Sequence, residues 1–97
     1  MTKFGEIISL NKPVLIDFYT DWKEDNSGLN TLRDVAAALG ERAKVIKIDI
    51  SKNEVLADAL RVKVNPTFMI YVDGEMKWRD TGKKDASTLI SIVNQYI

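Results

Sequence analysis

The spacing of apolar positions changes repeatedly along the chain, and each change predicts a new element. Phe4, Ile7, Ile8 and Leu10 recur at helical spacing, so a short helix is expected over 3–10. Asn11-Lys12-Pro13 ends it, because proline disfavours helix in the residue before it. Val14 to Tyr19 is a nearly continuous apolar run, broken by Asp17 and rich in β-branched and aromatic residues. It is too short for a free-standing helix and suits a strand buried on both faces near the centre of a sheet. Helical spacing returns at Leu29, Leu32, Val35, Ala36 and Leu39, predicting a helix over about 27–39 with Gly40 at its carboxyl-terminal cap. Asp25, Asn26 and Ser27 are good amino-terminal caps, and Glu24 and Asp25 lie where the helix dipole favours acids.

Val45, Ile46, Ile48 and Ile50 mark a second strand over 44–50, and two strands joined by a helix of this length imply a right-handed parallel βαβ unit. Asn53 is placed to cap a third helix from 54 to about 61, with Val55, Leu56, Ala59 and Leu60 expected to face inward. Thr67 to Val72 and Glu75 to Thr81 flank Asp73-Gly74, a dipeptide that favours the two-residue turn of an antiparallel hairpin, so the sheet is expected to be mixed. Simple alternation puts Met76 and Trp78 on one face of an edge strand under the last helix. Lys77 and Arg79 then fall on the other face as protection against aggregation. After Gly82, a helix over 86–96 presents Leu89, Ile90, Val93, Tyr96 and Ile97 as its apolar face.

Composition narrows what such a molecule can do. With 97 residues, 45% of them hydrophobic, the chain is expected to form one domain over 1–97. Fourteen basic and fourteen acidic residues cancel, which removes any electrostatic reason to seek nucleic acid or an acidic membrane. No apolar stretch approaches the roughly 18–20 residues of a membrane span, and the amino terminus lacks a signal-peptide pattern, so a cytoplasmic monomer is expected. The absence of cysteine and histidine removes disulfides, thiolate nucleophiles, the commonest general base and the commonest metal ligands. No metal and no cofactor are expected.

The joints carry a family resemblance. Lys12-Pro13-Val14-Leu15-Ile16-Asp17-Phe18 followed by Trp22, then Asn65-Pro66-Thr67, then Asp73-Gly74 and Gly82, resemble thioredoxin, and the likeness runs from Phe4 to Ile97. It implies an α/β thioredoxin fold, a four-stranded mixed sheet in the order 2-1-3-4 flanked by four helices. It also implies a site. In the family, Trp-Cys-Gly-Pro-Cys-Lys supplies a nucleophilic and a resolving cysteine, whereas here the matching run is Trp22-Lys23-Glu24-Asp25-Asn26-Ser27. Lys23 and Asn26 stand at the degenerate cysteine positions. The segment from Leu29 to Leu32 also aligns one residue short, at the proline that kinks this helix in the family, so a straighter helix is expected.

By the same resemblance Asp17 is the family's buried acid, with Lys47 on the next strand as its neighbour; without a thiol to serve, it is expected to be a buried carboxylate satisfied by Lys47, water or a hydroxyl. Pro66 matches the cis-proline, and the backbone of the residue before it, here Asn65, pairs with extended peptides in the family. A groove of Trp22, Asn65, Pro66, Thr67 and Gly82 could therefore bind peptide by strand addition, narrowed by Val64. The plainer readings are that Pro66 only shapes its loop and that Trp22 only covers the helix start. Lys23 as a nucleophile is opposed by Glu24 and Asp25, and Asp21, Glu24 and Asp25 suit helix capping better than a metal. The reading is a redox-inactive thioredoxin-fold protein that binds a peptide or protein weakly. One alternative is a member of the thiol–disulfide oxidoreductase family whose parent carries cysteine at the positions of Lys23 and Asn26; another is a structural subunit of a larger assembly.

Overall fold

The computed structural model describes residues 2–20, 27–63 and 66–97, the side chains of 2, 3 and 27–29 excepted. The elements in chain order are α1 (Thr2–Ile8), β1 (Val14–Tyr19), α2 (Ser27–Leu39), β2 (Lys44–Asp49), α3 (Glu54–Ala59), β3 (Thr67–Val72), β4 (Glu75–Thr81) and α4 (Ala86–Asn94). Short 3-10 turns follow α2 and β2, at Gly40–Arg42 and Ile50–Lys52. The strands form one four-stranded sheet in the order β2-β1-β3-β4. β1 pairs parallel with β2 and antiparallel with β3, and β3 pairs antiparallel with β4, which is the expected mixed sheet.

Alternation along β1 explains why its apolar run is nearly continuous. Leu15 points into one core with Phe68 and Ile70 from β3, Leu32, Val35 and Leu39 from α2, and Leu89 and Val93 from α4. Val14, Ile16 and Phe18 point into a second core on the other face, with Met69 and Tyr71 from β3, Ala57 from α3, and Phe4, Ile7 and Ile8 from α1. Both faces of the strand are therefore covered by helices, and Val14, Leu15, Ile16 and Phe18 are fully buried. Each such side chain contributes about 1.5–3 kcal/mol by leaving water.

The joints follow local chemistry. Asp73 and Gly74 both have positive φ, 53° and 81°, as the two-residue hairpin turn requires. The turn is pinned to the end of α1 by hydrogen bonds from Asp73 N to Leu10 O and from Gly74 N to Ile8 O, both 2.9 Å. Gly40 has φ +58°, the left-handed conformation that ends α2, and Arg42 donates to the carbonyls of Leu39 and Ala38.

Several sequence expectations are corrected. Val55 is 85% exposed, and the inward side chain of α3 is Ala57, flanked by Leu56 and Leu60; Ala59 is also exposed. Asn53 makes no side-chain cap to α3; its amide donates instead to Asp49 O at 2.8 Å. Ile97 is exposed, because α4 ends at Asn94. Met76 and Trp78 do not share a face. Tyr71 is opposite Met76 while Ile70 is opposite Trp78, so Lys77 is an extra, bulged residue and the alternation flips across it. Trp78 packs against the α2/α4 core, whereas Met76 is exposed.

Arg79 keeps the face that alternation gives it but has a different task from edge protection. Opposite Met69, it reaches the end of α3 and donates to Leu60 O at 2.6 Å and Arg61 O at 2.7 Å. These carbonyls belong to the C-cap residue and the one after it, where the chain turns away from the helix, and Arg61 itself has φ +58°. A guanidinium thus closes the terminus where glycine would otherwise be favoured.

Candidate functional site

Asp17 lies on the α2/α4 side of β1, two residues beyond Leu15, opposite Lys47 on β2 and Phe68 on β3. It is 6% exposed, and among the described residues its Oδ1 has no hydrogen-bond partner. Burial pushes the carboxyl up from 3.8 to about 6, and the Lys47 charge offsets part of that rise. Lys47 does not close onto the carboxylate: its ammonium lies 5.7 Å from the centre of the Tyr19 ring, in a cation–π contact. Of the partners expected for Asp17, Lys47 therefore acts only through its field.

The proline joint stands at the start of β3. Pro66 is half-buried, and its carbonyl accepts a hydrogen bond from Gly82 N at 3.0 Å. Gly82 has φ +94°, so glycine is needed for the chain to leave β4 and reach that carbonyl. Thr67 is fully buried and pairs with Phe18 on one side and Thr81 on the other. Its place in this site is to hold the joint, with Pro66 and Gly82 nearer the surface. Beyond Gly82, Lys84 bridges to Asp80 at 3.1 Å, and Asp85 caps α4 by accepting from Thr88 N at 2.9 Å. Those contacts hold both carboxylates below their ordinary range, through the hydrogen bond from Lys84 for Asp80 and that from Thr88 for Asp85.

Of the residues singled out in the sequence, Asp17 and Lys47 are brought opposite one another, and Pro66, Thr67 and Gly82 form one joint. Trp22, Lys23, Asn26 and Asn65, with Asp21, Glu24, Asp25 and Val64, lie outside the described residues. Sequence reasoning read Arg79 only as edge protection, since alternation gives its face but not the Leu60 and Arg61 carbonyls it reaches, and it missed a cleft between α2 and β2. Among the described residues no group of three acidic, cysteine or histidine side chains is placed to hold a metal. No described helix is long and apolar enough to cross a membrane.

Fold and site together define an α/β/α protein that carries a buried acid on a central strand and a proline–glycine joint at the head of the neighbouring one. The chain belongs to the thioredoxin family, whose model matches residues 1–95. It is 33% identical over 91 residues to thioredoxin Y, chloroplastic, of Oryza sativa subsp. japonica, covering 92% of this chain and 54% of that one. A thioredoxin of Pyropia yezoensis is 33% identical over 93 residues, covering 95% of this chain and 87% of its own length. The chain spans about half the length of the Oryza sativa relative and of thioredoxin Y1, chloroplastic, of Arabidopsis thaliana. Among solved structures, a mutant thioredoxin from Halobacterium salinarum NRC-1 superposes with a TM-score of 0.81 at 34% identity, covering 99% of this chain and 84% of that one.

Proposed function

We propose that this chain is a redox-inactive thioredoxin-fold protein that binds an extended peptide or protein segment weakly, across Trp22, Asn65, Pro66, Thr67 and Gly82. The observation that carries the reading is the pairing of a family match along nearly the whole chain with the absence of any cysteine. Thiol–disulfide exchange needs a thiolate to attack one sulfur and a second to release the product. Neither Lys23 nor Asn26 offers one. The Pro66–Gly82 joint, closed by the hydrogen bond from Gly82 N to Pro66 O, supports the binding part of the reading. A cis bond at Pro66 and a cytoplasmic monomer belong to this proposal.

A second reading has its own support. Relatives named thioredoxin, at 33% identity, favour descent from a thiol–disulfide oxidoreductase with cysteines at the positions of Lys23 and Asn26. A disulfide-reduction assay with added dithiol separates intrinsic activity from its loss: turnover at background is expected, and turnover above it sinks the redox-inactive reading. Titration with an extended peptide, followed by NMR, is expected to shift the amides of Trp22, Asn65 and Gly82 together. Silence at all three removes the binding role and leaves the structural one.

A further inference from the structure

The open edge of β2 is the second place where this fold can take on a strand. β2 stands at the end of the sheet, and Lys44 N donates to Pro13 O at 2.9 Å, which turns the backbone of Lys44, and by alternation of Ile46 and Ile48, toward β1. The N–H and C=O groups of Val45, Lys47 and Asp49 therefore point away from the sheet. Asp49 O is taken by the Asn53 amide, and the Asp49 carboxylate is occupied by Ser51, through both its N–H at 2.9 Å and its hydroxyl at 2.6 Å. Among the described residues, no chain segment pairs with Val45 or Lys47 from outside.

Beside this edge lies a cleft between α2 and β2, lined by Leu32, Arg33, Ala36, Val45, Ile46 and Lys47. Its floor is apolar and its two ionisable side chains are both cations. Lys44, also exposed, adds a positive charge on the opposite face of the strand. An incoming strand places alternate side chains on the cleft side about 7 Å apart. An apolar side chain seated on Leu32, Ala36 and Val45 is then followed two positions away by one that meets Arg33 or Lys47.

We propose that the β2 edge and the α2/β2 cleft form a docking surface for an extended partner segment that alternates apolar and acidic residues on one face, added as a further strand through Val45 and Lys47. The main chain supplies two N–H donors and two carbonyl acceptors, and the cleft selects the side chains. A second copy of this chain fits the same edge poorly. Any twofold antiparallel pairing along this edge brings the Lys44 and Lys47 of both copies to one seam, and the register centred on Lys47 sets Lys47 directly against Lys47. Like charges at an edge oppose such pairing. This surface lies across the sheet from the β3–β4 joint that carries Pro66 and Gly82, so the proposal stands apart from the peptide groove argued above.

The test uses the whole chain and two synthetic peptides, one alternating valine and glutamate on one face with threonine on the other, the second with lysine in place of glutamate. Amide hydrogen exchange read by NMR is expected to slow at Val45 and Lys47 when the acidic peptide is added, with Ile46 unchanged because its N–H already faces β1. Lys47→Gln and Arg33→Gln are each expected to weaken the acidic peptide about two- to fivefold, the scale of one exposed ion pair. Lys47→Pro removes an outward N–H and is expected to lose the exchange protection altogether; the glutamine variants carry the test if that chain does not fold. The proposal is overturned if both peptides bind equally, or if the acidic peptide protects only residues near Pro66 and Gly82. It is equally overturned if Val45 and Lys47 are already protected in the protein alone.

Discussion

Replacing Asp17 with asparagine converts a physical cost in the core into a measurement. The folded-state carboxyl titrates at about 6, against 3.8 for the ordinary group, and burial is the larger cause. The folded protein therefore holds its Asp17 proton more tightly than the unfolded chain does. The stability this contributes is full below pH 3.8, falls through the window between 3.8 and about 6, and is gone above it. A shift of roughly two units corresponds to about 3 kcal/mol. The Asp17→Asn amide removes the charge but brings N–H donors into a place where Oδ1 already has no partner, costing about 1–2 kcal/mol. The variant is therefore expected to be more stable by about 1–2 kcal/mol near pH 8 and level with or slightly below the parent near pH 4.5. Urea titrations of both proteins at the two pH values give a difference of differences of about 2 kcal/mol, since part of the shift still acts at pH 4.5. Asp49, Asp80 and Asp85, all held low by hydrogen bonds, contribute the opposite pH dependence, but equally in both proteins, so they cancel. A variant whose relative stability is flat with pH, or which is weaker near pH 8, would refute the assignment of Asp17 as a desolvated carboxylate.

Substitutions at three further positions probe the frame. Arg79→Ala removes both hydrogen bonds to the end of α3 and is expected to cost about 1–2 kcal/mol in a denaturant titration; Arg79→Lys restores only part, because a single ammonium cannot span the Leu60 and Arg61 carbonyls. Gly82→Ala meets no neighbour within 4 Å, so its expected loss of about 1 kcal/mol comes from φ +94° alone, and an unchanged melting temperature would contradict that origin. Leu89→Ala empties a fully buried position of α4 against α2 and the sheet, with an expected loss of about 2–5 kcal/mol by urea unfolding.

The parts of the fold that the sequence made legible are those where one period holds over a whole element. β1 reads as central because both of its faces are apolar, and the hairpin reads from Asp73-Gly74 because only a few residue types accept two positive φ values in succession. The errors fall where a local exception breaks the period. The extra residue at Lys77 moves Trp78 and Met76 to opposite faces, and nothing in Glu75-Met76-Lys77-Trp78-Arg79 announces it. Helix α3 is only six residues long, so a small change in its rotation decides whether Val55 or Ala57 faces the core, and the smaller residue is the one that fits. Asp17 was legible as an acid in an apolar strand, and the Pro66–Gly82 joint through the family resemblance of Asn65-Pro66-Thr67 and Gly82. The α2/β2 cleft was not, since it depends on how α2 packs along β2, which periodicity does not give.

Lys47 links the buried acid to the β2 edge. It stands opposite Asp17, lowers that carboxyl's pKa by its field, rests over Tyr19, and lines the cleft beside the β2 edge. An acidic side chain docked against Lys47 would neutralise part of that field and add negative charge near the buried acid. Both effects favour the protonated form of Asp17. Linkage makes the effect mutual: protonation of Asp17 removes a repulsion, so an acidic segment at β2 binds more readily below about pH 6 than above it. A carboxylate with no thiol to serve can thus still make this edge sensitive to pH, provided Lys47 is the shared charge. An Asp17→Asn chain, having no proton to exchange at that position, separates this coupling from the direct titration of the peptide's own acids.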